Sequence, residues 1–363
     1  MGHLPPETPK PGDPRSLAGI PCCQNLPERE GLGPPLEEEL PAGHLLDDRF
    51  LIREAIGRSG MATIYRAEDK ADGGRAVAVK IPLAKVECDP VAYGRFQREE
   101  RIGTALSDPG LLRFIRVGAP KSRPYIVTEF LDGCTLAYVI HCTRPVPERD
   151  ALRIISAVCL ALGHMHERGY VHRDLKPANI MVRRDRTLCL MDFGMATEVE
   201  TGLKILAGLA PLFGTPEYMA PEQVRNKRND GRTDIYSLGV ILYQMLTGVL
   251  PFQAEDPWEA AQMRVTGDPV APRTLNPAIS PEAEEIVLHA MRRNPDERYP
   301  TVAAFRAELD APERVHVTGL SGRLRAPRWR MSIQGTPFLV GGLVGVGTLL
   351  FLVVAFLVLS HLH

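Results

Sequence analysis

The chain has little of what marks a secreted, metal-clustered or nucleic-acid-binding protein. Its seven cysteines are odd in number and, apart from Cys22-Cys23, scattered. They form neither a disulfide framework nor a zinc-like spacing, which points to a reducing, cytosolic setting for the main domain. The formal net charge is -1, which argues against a general nucleic-acid binder. Lysine is scarce, 35 of the 43 basic residues being arginine. No internal repeat occurs, and the first residues contain no apolar run long enough for a signal peptide. Met1-Gly2 opens like an acylation signal, but Pro6 stands where a Ser or Thr is wanted.

What is present divides into three parts. Residues 1–46 carry ten prolines and the acidic run Glu37-Glu38-Glu39; so few large apolar residues cannot offset ordering entropy, and disorder is expected. Residues 47–310 have ordinary globular composition, with 44% hydrophobic and 24% charged residues in the whole chain. Strand-like runs at Arg49–Ile56, Thr63–Glu68 and Ala76–Ile81 come first, the last after the hairpin signal Asp72-Gly73-Gly74. Helical periodicity follows at Val91–Leu106, Arg149–Arg168, Arg232–Leu246 and Pro281–Arg293, with Thr233 and Ser280 as candidate caps. The expected architecture is α+β, a small β-rich lobe before a larger helical one.

The third part is the tail. Residues 311–336 read as a basic linker, ending in Arg323-Leu324-Arg325-Ala326-Pro327-Arg328-Trp329-Arg330. Phe338–Leu359 is then 22 residues without a charge, about 33 Å as a helix and enough to cross a bilayer core. The expectation is one transmembrane helix over 337–359, with the arginine side cytoplasmic and 360–363 outside. Gly341-x-x-x-Gly345 within it suits close helix packing, hence a homodimer.

The chemistry concentrates in His172-Arg173-Asp174-Leu175-Lys176-Pro177-Ala178-Asn179, with Asp192-Phe193-Gly194 beginning 18 residues after Asp174. Phosphoryl transfer needs positioning and charge neutralisation more than covalent chemistry. Asp174 suits the base that takes the hydroxyl proton. Asn179 and Asp192 supply the oxygens that magnesium prefers. Lys176 suits the γ-phosphate.

In these motifs the chain resembles the protein kinase family, and more narrowly the bacterial Hanks-type (eukaryotic-like) Ser/Thr kinases, over roughly residues 48–310. The resemblance implies a bilobal kinase fold, ATP with Mg2+ (or Mn2+) as cofactors, and protein substrates at a cytoplasmic membrane face. It makes Lys80 of Val77-Ala78-Val79-Lys80 the phosphate-contacting lysine and Glu99 its partner, with Glu100 the adjacent alternative. The glycine loop, Ile56-Gly57-Arg58-Ser59-Gly60-Met61-Ala62-Thr63-Ile64, departs from pattern at Ser59 and Ala62, which lowers the expected ATP affinity. Ile64, Ala78 and Met181 are implied adenine contacts, Glu129 begins the hinge, and Thr128 gates the rear of the pocket. Ala220-Pro221-Glu222 implies a Glu222–Arg298 pair, and Asp234 implies a brace for the catalytic loop. Thr215, in Gly214-Thr215-Pro216-Glu217, is implied to bond Asp174 and Lys176. The intervening loop offers only Thr197 and Thr201 as hydroxyls, so activation is expected to depend little on mid-loop phosphorylation. Two competing readings are a nucleotide-binding scaffold without activity and a small-molecule kinase.

Overall fold

The computed structural model describes residues 39–118, 120–198, 216–225 and 230–326. The expectations for the N-terminal 38 residues, for Thr201 and Thr215, and for the apolar tail fall outside these. Among the described residues no helix is long and apolar enough to cross a membrane.

The first lobe is an antiparallel sheet in sequential order, β1 (Leu45–Leu46), β2 (Phe50–Arg58), β3 (Ala62–Asp69), β4 (Arg75–Pro82) and β5 (Ile126–Glu129). Alternation decides its faces. Tyr65, Ala67, Val77, Val79 and Ile81 turn into a core shared with Phe50, Ile52 and Tyr125. The intervening Ile64, Ala78 and Lys80 therefore take the opposite face, and Ile64 pairs with Lys80 across the strands. A short α1 (Ala84–Glu87) leads into α2 (Pro90–Ala105). Pro90 sits at its first turn and the Asp89 carboxylate accepts from the Val91 and Ala92 amides. Order begins earlier than composition suggested. Leu46 is buried in the lobe core, the Leu40 amide donates to the Tyr65 hydroxyl, and Glu39 pairs with Arg58.

The second lobe contains β6 (Gly133–Thr135), α3 (Leu136–Cys142), α4 (Glu148–Glu167), β7 (Tyr170–Val171), β8 (Ile180–Arg183), β9 (Leu188–Leu190) and β10 (Thr197–Glu198). Then come α5 (Pro221–Val224), α6 (Gly231–Thr247), α7 (Pro257–Thr266), α8 (Pro272–Leu275), α9 (Pro281–Ala290) and α10 (Val302–Asp310). Helix α6 is apolar on nearly every side, with Ile235, Leu238, Val240, Ile241 and Leu242 fully buried, so it is the interior of the lobe rather than a face. Helices α4, α9 and α10 pack around it.

Two sequence expectations need correction. Ser280 caps α9 by accepting from the Ala283 amide, but α6 is capped by Asp230, whose carboxylate accepts from the Arg232 amide. Thr233 is instead buried and donates to Glu222 Oε1 at 2.9 Å. The linker from residue 311 is also no free segment up to Ala326. Buried Glu285 of α9 accepts from the Thr318 amide (3.0 Å), the Thr318 hydroxyl and the Leu320 amide (3.2 Å). Asp268 exchanges backbone and side-chain bonds with Arg325, at 2.7 and 2.9 Å. A strap over 312–326 is thereby fastened to the helical lobe.

Candidate active site

The hairpin β8–β9 sets the first part of the site. Ile180 pairs with Leu190, and the Met191 amide donates to the Asn179 carbonyl at 2.9 Å. This register brings Asn179, one residue before β8, beside Asp192, two residues after β9. The Asn179 amide nitrogen donates to the Asp174 carbonyl (2.8 Å) and to Asp174 Oδ2 (3.2 Å), which leaves the side-chain oxygen as its acceptor for a cation. Asp192 takes a left-handed φ of 63° and accepts from the Gly194 amide at 3.3 Å. Burial pushes its carboxyl upward, but Lys80 leads the contributions that outweigh burial and hold it below the usual carboxylate range. An ionised carboxylate and an amide oxygen side by side form a donor set that fits magnesium.

The catalytic loop is braced from beneath. Asp234, fully buried on α6, accepts from the amides of His172 (2.9 Å) and Arg173 (2.8 Å) and from His166 Nε2 (2.8 Å). Burial raises its pKa, and the His166 hydrogen bond leads the contributions that bring it below the ordinary value. Arg173 is held at φ 68°, a conformation unfavourable for a side chain of this kind, and the two bonds to Asp234 over-determine it. His172 donates from Nε2 to the Met191 carbonyl (3.0 Å) and accepts at Nδ1 from the Asp174 amide (3.3 Å). Lys176 Nζ lies 3.1 Å from Asp174 Oδ2.

On the sheet side, Lys80 Nζ meets Glu99 Oε1 and Oε2 at 2.8 and 2.6 Å. Burial pulls the lysine down, but Glu99 and Asp192 more than reverse this, so Lys80 stays charged. The alternative, Glu100, points away from the cleft and pairs with Lys121 at 2.5 Å. Phe193 is fully buried between Phe114 and His172, which seats Asp192 in the cleft. A Cβ added at Gly194 would lie 3.6 Å from Glu99 Oε2, so this helix and the Asp192 segment are in close approach.

The glycine hairpin shows why Ser59 is tolerated. None of residues 56–62 adopts a positive φ, so the turn demands no left-handed glycine. The Ser59 hydroxyl accepts from the amides of Ala62 (3.0 Å) and Met61 (3.3 Å) and donates to the Ala62 carbonyl (3.1 Å). Gly60 has nothing within 4 Å of where a Cβ would stand, whereas a Cβ at Gly57 would touch Ile64 at 3.5 Å. Ile56, Ile64, Ala78 and Met181 are half-buried, consistent with apolar walls for a flat ligand. The Glu129 side chain turns to Arg183 (3.0 Å), so its contribution to the pocket is backbone. Thr128 is buried at the rear.

The segment after Thr215 completes the arrangement. Arg298 Nη1 and Nη2 donate to the two Glu222 oxygens at 2.8 and 2.7 Å, both residues being buried. Gln223 was missed by sequence reasoning: its Oε1 accepts from the Ala220 amide (2.9 Å) and its Nε2 donates to the Arg173 carbonyl (2.8 Å). His166 and Lys121 were also missed, because nothing in their local sequence separates them from surface residues.

Comparison with known proteins agrees with this geometry. The protein kinase domain family matches residues 50–308. The chain belongs to the protein kinase family. Among similar kinases, serine/threonine-protein kinase PknB of Mycolicibacterium smegmatis is 39% identical over 268 residues, covering 73% of this chain and 43% of that protein. PknB of Mycobacterium tuberculosis is 37% identical over 268 residues, with the same coverage. A probable serine/threonine-protein kinase of Streptomyces coelicolor is 36% identical over 270 residues, covering 73% of this chain and 40% of that one. The chain thus spans less than half the length of these curated kinases.

Proposed function

We propose that this kinase transfers the γ-phosphate of MgATP to Ser and Thr hydroxyls of proteins at the cytoplasmic face of a membrane. The observation that carries the transfer is the joint placement of Asp174, Lys176 and Asn179 on one loop, facing Asp192 and the Lys80–Glu99 pair. MgATP supplies the phosphoryl group and the metal's neutralisation of its charge. Asn179 and Asp192 would hold the metal, and Lys80, fixed by Glu99, would hold the phosphates. Asp174 would take the single proton of the acceptor hydroxyl on Oδ1, Oδ2 being held by Asn179 and Lys176, and Lys176 would face the charge carried by the transferred group.

Ser/Thr selectivity is supported by Lys176 two residues after Asp174 and by the names of the similar kinases. Membrane attachment rests on the 22 uncharged residues Phe338–Leu359 and their arginine-rich flank, and self-association on Gly341-x-x-x-Gly345. A scaffold reading draws on one observation, the Ser59 hydroxyl occupying two loop amides.

Labelled ATP, magnesium and a generic protein separate the two. Transfer to Ser and Thr by wild type, lost in Asp174→Asn, supports the enzyme. Nucleotide binding without transfer, in detergent and in vesicles alike, supports the scaffold. Full-length chain pelleting with vesicles, against a soluble variant ending at residue 336, tests the membrane.

A further inference from the structure

Arg264 on α7 is fully buried, and among the described residues the acidic group acting on it, Glu217, makes no ion pair with it and leaves its own Oε2 buried without a partner. Its Nη1 donates to the carbonyls of Pro216 (2.6 Å) and Met219 (2.8 Å), and Phe252 lies under the guanidinium at 5.6 Å. Its Nε and Nη2 find no partner among the described residues. A methionine or leucine would fill the space without burying a charge, so packing alone does not account for an arginine here.

What the guanidinium grips is the wall beside the catalytic loop. Ser237 donates to the Tyr218 carbonyl at 2.8 Å, so the carbonyls of Pro216, Tyr218 and Met219 are all captured. The next amide, Ala220, donates to Gln223, and Gln223 donates to the carbonyl of Arg173, the neighbour of Asp174. A hydrogen-bonded path thus runs from α7 through 216–220 to the catalytic loop. The path reaches the catalytic loop at Arg173, the residue before Asp174, and none of its bonds involves the nucleotide-side residues Lys80, Asn179 or Asp192.

We propose that Arg264 is a positioning residue for protein substrates: it holds the 216–220 wall in register with Asp174 and takes no part in nucleotide binding. This inference rests on the kinase reading above.

The test compares wild type, Arg264→Met and Arg264→Lys in the full chain, with dephosphorylated casein as acceptor. Rates are measured against casein at saturating ATP and against ATP at saturating casein, with a fluorescent ATP analogue giving nucleotide Kd. Arg264→Met is expected to raise the casein KM about tenfold, the effect of one charge-assisted hydrogen bond, with nucleotide Kd unchanged. Arg264→Lys keeps the charge and a donor, and is expected to show a smaller rise; it carries the test if Arg264→Met does not fold. Hydrogen exchange of 216–225 is expected to quicken in both. A casein KM equal to wild type, or an equal loss of nucleotide affinity, would overturn the proposal. A wild type that binds nucleotide but transfers nothing sinks the kinase reading instead, so the two failures are distinguishable.

Discussion

Glu99 and Glu100, adjacent on α2 and so about 100° apart around the helix, each end on their own lysine, Lys80 in the cleft and Lys121 away from it. Their exposures differ, with side chains 8% and 38% accessible, and this decides their weight. Replacing Glu99 by Ala should cut kcat/KM by on the order of a hundredfold or more, because Lys80 loses the partner that orders it. Replacing Glu100 should change activity by less than about threefold, the effect of a partly solvated ion pair. Steady-state kinetics of the two variants checks this; equal losses would contradict the assignment.

The brace under the catalytic loop carries a pH signature. The Asp234 carboxyl lies below its ordinary 3.8, so its ionised form stabilises the fold in full above that value. That contribution is lost only as the pH falls further, through the depressed folded-state value. Asp234→Asn should therefore lower the urea midpoint by the same amount from about pH 8 to about pH 5, with convergence confined to more acidic solution. A penalty that shrinks between those two pH values would show that Asp234 is not held ionised.

Breaking the buried Glu222–Arg298 pair leaves a charge with no water to solvate it. Glu222→Ala should cost about 3–5 kcal/mol in urea unfolding. In Glu222→Ala with Arg298→Met, part of that loss should return, since no buried charge is left unpaired. Strict additivity of the two single substitutions would mean that they do not act as a pair.

Much of this site was legible before any coordinates. Asp174, Asn179, Asp192, Lys80 and Glu99 were placed by short motifs whose spacing is dictated by chemistry, and the structure brings all five together. Glu222–Arg298 and the bracing role of Asp234 were legible for the same reason. Gln223, His166 and Arg264 were not, because their partners are 50, 68 and 48 or fewer residues away and only tertiary packing makes them neighbours. Thr233 misled because a hydroxyl near a helix start looks like a cap, and here the Asp230 carboxylate had taken that place. The strap escaped because its bonds come from Glu285 and Asp268, which carry no local mark of what they hold.

Ser59 offers a change in the direction of gain. Its hydroxyl engages the Met61 and Ala62 amides, the kind of group that cradles phosphate oxygens. Ser59→Ala should release them and tighten nucleotide binding by up to about fivefold, about 1 kcal/mol. Fluorescent-nucleotide titration measures it directly. Weaker binding would show that the hydroxyl preorganises the turn instead.

On the proposed membrane attachment, the strap would also set how far the catalytic lobe can travel. If it leaves the domain at Ala326, only residues 327–336 separate it from the proposed membrane segment, a reach of at most about 36 Å. Detached from residue 311 onward, the same connection would span up to about 90 Å. Effective concentration falls roughly as the −3/2 power of tether length, so on the proposed anchoring the fastening by Glu285 and Asp268 would raise that of a membrane-bound acceptor about fourfold. On that proposal, two carboxylates outside the cleft would help select which proteins Asp174 meets.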